Sequence, residues 1–216
     1  MTAAGTTRSP LLLFAALAAV SAFLCYLSIT LARETLAFSF VSSDKVTIIP
    51  GLIFGTVVAA CSRWFETRSV LQLALIIALT TVGWIAAVDA AMMTIDPVSD
   101  YQRAIFGPLP FLENDDGDSR IAPYMGGLAG GAVGGAFTIL GLSIGGQSFR
   151  RLGAWAWTWG TATLAGAAFG LLDFRYDRSY LVLFLVWQIA VIIAIVRGLS
   201  AHNAQPFGWQ EQESTG

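Results

Sequence analysis

Six apolar stretches, separated by shorter polar segments, dominate the chain. An apolar helix rises about 1.5 Å per residue, so stretches of this length approach or exceed the roughly 30 Å hydrocarbon core of a bilayer. Lipid also forces a spanning segment to satisfy its own backbone polar groups, which favours helix. The pattern therefore predicts an all-α, polytopic membrane helix bundle with six transmembrane helices. The predicted spans are residues 11–32, 46–62, 70–93, 121–146, 154–172 and 180–196.

Two polar regions fall outside these spans. Residues 94–120 contain several prolines and an acidic run at 113–118, so they are predicted to form an irregular extramembrane loop. Its carboxylates could bind a hard cation or form a solvated turn, since Asp, Asn and Gly suit both roles. The polar residues 200–216 are predicted to form a disordered tail. Residues 36–43 are too short to span and are expected at the membrane surface or outside it.

The fourth stretch contains glycine repeatedly at helical spacing. One stripe of the predicted helix carries Gly130, Gly134, Gly141 and Gly145, and the adjacent stripe carries Gly127, Gly131 and Gly135. Small residues let helix backbones approach closely in lipid, where van der Waals contact drives association. We therefore expect this helix to lie centrally in the bundle. The alternative is that the same seam joins several copies of the chain into a homo-oligomer.

Composition narrows the function classes. Of 216 residues, 56% are hydrophobic and 12% charged, against about 25% charged in an average soluble protein. The net charge of -2 and the absence of a basic run argue against nucleic-acid binding. Two cysteines without CxxC spacing and a single histidine, His202, argue against zinc or haem sites, and no cofactor is expected. Metal sites built from carboxylates alone stay open.

Orientation follows from the short turns, because lysine and arginine are divided equally between the two sides. Compact basic turns at residues 63–68 and 150–151 are typical of cytoplasmic loops. We therefore expect a multi-pass protein of the plasma or inner membrane with both termini in the cytoplasm. The acidic loop would then face outward.

Asp89 is the most informative charge, because it lies inside the end of the third predicted span, where an unpartnered acid is costly. An ion pair or relay is one interpretation, and an acid reaching toward interfacial water is the other. Four further charges are expected at the same membrane level. These are Arg33, Arg120, Arg175 and Asp173.

Ser143 lies in a G-x-S-x-G sequence at residues 141–145, a spacing found around nucleophilic serines. A nucleophile needs an oriented base, and His202 lies beyond the sixth span. Packing and hydrogen bonding within the helix explain this serine more simply than intramembrane hydrolysis.

The sequence thus favours a non-enzymatic membrane component. Few polar groups lie within any span, and no catalytic set converges. We expect a subunit, assembly factor or scaffold that acts through helix contacts with the lipid bilayer and a membrane-protein partner. The alternative is a transporter or channel for ions or small solutes that uses Asp89 and the glycine-rich helix.

Overall fold

A computed structural model gives the architecture of the chain. It describes residues 10–31, 36–41, 46–107, 119, 121–144, 146, 149, 151–171 and 178–203. The all-helical prediction is confirmed. The α-helices are α1 Pro10–Leu31, α2 Ile49–Phe65, α3 Val70–Phe106, α4 Ala122–Ser143, α5 Leu152–Gly166 and α6 Arg178–Asn203. A 3₁₀ helix, Ala167–Leu171, continues from α5, and a two-stranded ribbon joins α1 to α2.

Among the residues that the structure describes, four helices are long and apolar enough to cross a membrane, as expected for a membrane protein. They are Pro10–Leu31, Val70–Ile105, Ala122–Ser143 and Ser179–Ser200. The helix Ile49–Phe65 is apolar but shorter, and α5 has 15 residues before its 3₁₀ extension. Length and hydropathy thus separate two shorter helices from four longer ones.

The third helix extends well beyond its predicted end. Residues 94–106 were expected in an irregular loop, yet α3 continues through Pro97 to Phe106. Proline removes one backbone hydrogen bond from a helix, but Pro97 is exposed, where water can satisfy the carbonyl that loses its donor. Farther along, the Ser119 hydroxyl donates to the buried Gln102 side chain at 2.5 Å, which fixes the extension against the start of α4. The acidic run 113–118 lies outside the described residues.

The other end of the last helix also differs from the prediction. The tail was expected to begin at residue 200, whereas α6 continues to Asn203. Apolar side chains just before that point, including the fully buried Leu199, hold the final turns against the bundle. Residues 204–216 lie outside the described part of the chain.

Consecutive helices run antiparallel. Cys25 lies beside Pro50 while Phe14 packs against Trp64 at 6.0 Å between ring centroids, so α1 and α2 run in opposite directions. Glycines that lie close to the backbone of a neighbouring helix show that α2 and α3, α3 and α4, and α4 and α5 are also antiparallel. The pairs are Gly55 with Ile77, Gly51 with Thr81, Gly126 with Ala91, Gly141 with Ile76, Gly127 with Gly166, and Gly135 with Ala162.

The sixth helix closes these pairs into a ring. α6 packs against both α1 and α5. The Gln188 amide donates to the Cys25 sulfur at 3.2 Å, and the Trp187 indole donates to the Ala162 carbonyl at 3.1 Å. The order around the ring is therefore the order along the chain. α4 lies between α3 and α5, and it also approaches α6 where Gly134 faces Trp187.

The two ends of the ring differ. The terminal end is where α1 begins and α6 finishes, and large buried side chains fill the interior there. They include Phe14, Val58, Ile76, Ile139, Leu142, Phe149, Ile192, Ile195 and Leu199. The hairpin end carries the ribbon, in which β1 Ala37–Phe38 pairs antiparallel with β2 Val46–Thr47. The interior at the hairpin end contains a cavity.

Candidate functional site

A cavity of about 580 Å³ occupies the hairpin end of the ring. Residues from α1, β2, α3, α4, α5, the 3₁₀ helix and α6 line it. Pockets that bind small molecules usually measure about 300 to 1,000 Å³ and are mainly apolar. The cavity therefore has the size and character of a ligand site, although sequence analysis gave no sign of it.

Trp187 forms the floor of this cavity. Its ring packs against Phe54 of α2 at 5.1 Å between centroids, and its indole N–H donates to the Ala162 carbonyl of α5. An added Cβ at Gly134 of α4 would lie 3.5 Å from the same ring. One side chain thus reaches three other helices and separates the cavity from the filled terminal end.

Trp84 forms an aromatic wall between the ribbon and α6. Its ring packs against Phe184 of α6 at 5.5 Å between centroids, and its indole N–H donates to the Thr47 carbonyl of β2 at 2.9 Å. A buried tryptophan whose N–H is satisfied is held in one orientation. Trp84 therefore fixes both the ribbon and one aromatic wall of the cavity.

Glycine forms the wall on α4. An added Cβ at Gly130 would lie 2.8 Å from the Ala87 carbonyl oxygen of α3. Added carbons at Gly127 and Gly131 would collide with the carbonyl oxygens of Gly166 and Ala162, both on α5. Any side chain at these three positions would push the helices apart.

The two glycine stripes face different helices. Gly130, Gly134 and Gly141 approach α3, while Gly127, Gly131 and Gly135 approach α5. All six are buried, and Gly145 lies outside the described residues. At these six described positions, both stripes are therefore covered by neighbouring helices of the same chain.

Asp89 holds the turn of the ribbon. Its carboxylate is 4% exposed and accepts hydrogen bonds from the Ser39 hydroxyl at 2.9 Å and the Phe40 and Val41 amides at 2.8 and 3.2 Å. These three hydrogen bonds give both carboxylate oxygens a partner within the chain. The charges proposed to accompany it lie outside the described residues. They are Arg33, Arg120, Arg175 and Asp173.

Arg68 stabilises the opposite end of the bundle. Its buried guanidinium donates to the Ile144 carbonyl at 2.6 Å and to the Leu142 carbonyl at 2.9 Å, and it pairs with Glu66 at 2.5 Å. The last carbonyls of a helix lack partners within the helix and favour a positive charge. In the sequence, Arg68 stands in a short basic turn typical of a cytoplasmic loop, and nothing near it indicates that it caps α4.

Ser143 makes hydrogen bonds within the terminal end. Its hydroxyl lies 2.8 Å from the Ile139 carbonyl and 3.3 Å from that of Phe149. Back-bonding to the carbonyl four residues earlier is common for serine in helices. His202 belongs to the last turn of α6.

Metal-ligating side chains do not cluster in the part of the chain that the structure describes. No group of three or more His, Cys, Asp or Glu residues lies together there. Cys25 and Cys61 are buried free thiols. Cys25 is positioned between helices, because its sulfur lies 3.5 Å from the Pro50 carbonyl and accepts from Gln188.

Comparison with protein-family models, with curated proteins and with solved structures finds no match for this chain.

Proposed function

We propose that this chain is a six-span, non-enzymatic integral membrane protein that holds an apolar or amphipathic small molecule in the cavity at the hairpin end.

Chain direction supports six spans. Because consecutive helices run antiparallel, α1 and α3 point the same way, and so do α4 and α6. If these four long apolar helices cross a bilayer, the chain must return between α1 and α3 and again between α4 and α6. α2 and α5 are the helices that lie in those two positions.

The lengths of the two shorter helices permit such a return. At 1.5 Å per residue, the 17 residues of α2 extend about 26 Å. The 15 residues of α5 and the five of its 3₁₀ extension together reach about 32 Å. A hydrocarbon core of about 30 Å needs only slight thinning around α2.

The single observation that carries the binding role is the unequal filling of the ring. Large side chains fill the terminal end, whereas about 580 Å³ at the hairpin end is empty of protein atoms. Protein interiors normally pack with few voids larger than a water molecule. The cavity is partly open rather than sealed, and its size and mainly apolar lining are those of small-molecule sites, so we assign it a bound molecule.

For the orientation, we place both termini in the cytoplasm of a cell bounded by a plasma or inner membrane. The short basic turns at the terminal end support this placement. A reporter enzyme fused after Gly216 that is active only in the cytoplasm would agree with it. Activity restricted to the outer side would reverse the orientation.

Transport is the second candidate. The observation that favours it is that the cavity lies at one end of the ring and is closed toward the other by Trp187. A transporter in one of its end states has this form. Flux of a bound compound across proteoliposomes would establish transport, while binding without flux would support a binding subunit or scaffold.

A direct test of binding is to purify the chain in lipid nanodiscs and identify the small molecules that accompany it by mass spectrometry. Leu183 lines the cavity, and Leu183→Trp should fill part of it and deplete the bound species. Val186 lies on the same helix but is 43% exposed, so Val186→Trp is the matched control. Equal amounts of every bound species in both variants would overturn the binding role.

A further inference from the structure

The dimensions of the cavity indicate the shape of its occupant. It follows α6 from Tyr180 to Trp187 and α3 from Trp84 to Met92, which corresponds to a depth of about 11 Å at the helical rise. A volume of about 580 Å³ over that depth, part of it at the open mouth, corresponds to a mean cross-section of at most about 50 Å². A single hydrocarbon chain in contact at about 4.5 Å on all sides needs only about 20 Å². The cavity is therefore short and wide.

Its walls differ in chemistry. Aromatic side chains from α3 and α6 form one part, including Trp84, Phe184 and Trp187. Gly127, Gly130 and Gly131 of α4 form another part that carries no side chains. Aromatic rings stack favourably on other rings. The strip of α4 backbone between its contacts with α3 and α5 adds no side chain that would project into the cavity. The combination suits a planar ring system better than a flexible chain.

Hydroxyl groups lie at one end of the cavity. Thr30 is next to the last residue of α1, Thr47 belongs to β2, and Tyr180 is in the first turn of α6. Within the chain, the Thr30 hydroxyl lies 3.1 Å from the Tyr26 and Leu27 carbonyls, and the Thr47 hydroxyl accepts from the Ile49 amide. The floor at Trp187 is aromatic, and its indole N–H donates to the Ala162 carbonyl. Small-molecule sites commonly orient their ligands through a few polar groups within an apolar lining.

From this geometry we propose that the cavity binds a planar, mostly apolar ring compound, with the ring near Trp187 and a polar edge toward the hairpin end. The inference rests on the proposed binding role and adds the class of ligand. Its ring would lie among Phe184, Trp187 and the α4 glycines. Its polar edge would approach Thr30, Thr47 and Tyr180.

Two probe compounds distinguish a site for a planar ring from a site for a flexible hydrocarbon chain. 2-Naphthol and 1-decanol have equal numbers of carbon atoms and one hydroxyl group each, but one is planar and the other flexible. Binding to the protein in nanodiscs is measured by equilibrium dialysis, with empty nanodiscs subtracted. We expect naphthol to bind and decanol not to displace it. Leu183→Trp should abolish naphthol binding, while Val186→Trp should leave it unchanged.

Phe184→Leu tests the aromatic wall, because it removes a ring and keeps an apolar side chain. Stacking contributes enough that naphthol affinity should fall about two- to tenfold. If decanol displaces naphthol at comparable concentrations, or if Phe184→Leu has no effect on naphthol, the ring class is wrong while the binding role stands. If neither probe binds and no molecule co-purifies, the binding role itself fails.

Discussion

Gly127→Ala is the substitution whose effect can be worked out most directly from the structure. The added methyl group would point at the α4–α5 contact, where it would collide with the Gly166 carbonyl oxygen and lie 2.7 Å from the Phe169 Cβ. Ordinary contacts of this kind begin at about 3.4 Å. The two helices must therefore separate by roughly 1 Å, or the end of α5 must unwind.

The expected cost follows from overpacking. Extra methyl groups in a well-packed interior typically cost about 1–3 kcal/mol, and a gap of up to 1 Å forfeits a quarter to a half of the dispersion energy along the contact. Alanine has a higher helix propensity than glycine, which offsets part of this loss. The control must therefore be a second Gly→Ala substitution in a helix, one that gains the same helix propensity but brings the added methyl group into contact with nothing.

Gly160→Ala supplies that control. Gly160 lies in α5, and an added Cβ there meets no atom within 4 Å. With the propensity gain common to both variants, Gly127→Ala should be less stable than Gly160→Ala by about 2–3 kcal/mol. For a protein of this size that difference corresponds to about 4–12 °C in Tm. Equal melting temperatures in the same detergent would refute the close α4–α5 contact.

Two further predictions concern the polar groups at the ends of the ring. Asp89→Asn keeps one acceptor oxygen but removes the charge that the Phe40 and Val41 amides contact. We expect the free energy of unfolding to fall by about 1–3 kcal/mol and hydrogen exchange at those two amides to become faster. Unchanged exchange would contradict the anchoring role of Asp89. Arg68→Met leaves the Leu142 and Ile144 carbonyls without their buried donor. Thermal unfolding should show that the free energy of unfolding falls by about 2–4 kcal/mol. A variant as stable as the parent chain would contradict the capping of α4.

The sequence contained the information for the helices themselves. Runs of apolar residues in a chain with few charges predict helices, because the backbone in lipid has no other way to satisfy its polar groups. Glycine spacing likewise indicated two adjacent stripes on α4, such as those of Gly130 and Gly127. Periodicity within one helix is local, and local patterns can be read from the sequence.

Features that depend on distant segments could not be read in this way. The Asp89 carboxylate bonds to a turn about 50 residues earlier, and Arg68 bonds to the end of a helix more than 70 residues later. The cavity depends on the volumes of side chains from several helices at once. The α3 extension was missed because Pro97 and the nearby charges are typical of a loop, while the contact from Gln102 to Ser119 lies outside any local window.

The central claim is that the ring is hollow at the hairpin end and filled at the terminal end. Two substitutions on α6 test it most directly. Leu183 lines the cavity, whereas Ile195 is fully buried in the filled core. After removal of bound molecules, thermal unfolding of Leu183→Trp should differ from the parent chain by less than about 0.5 kcal/mol, while Ile195→Trp should lose about 2–3 kcal/mol or more. Equal destabilisation by the two substitutions would contradict the account.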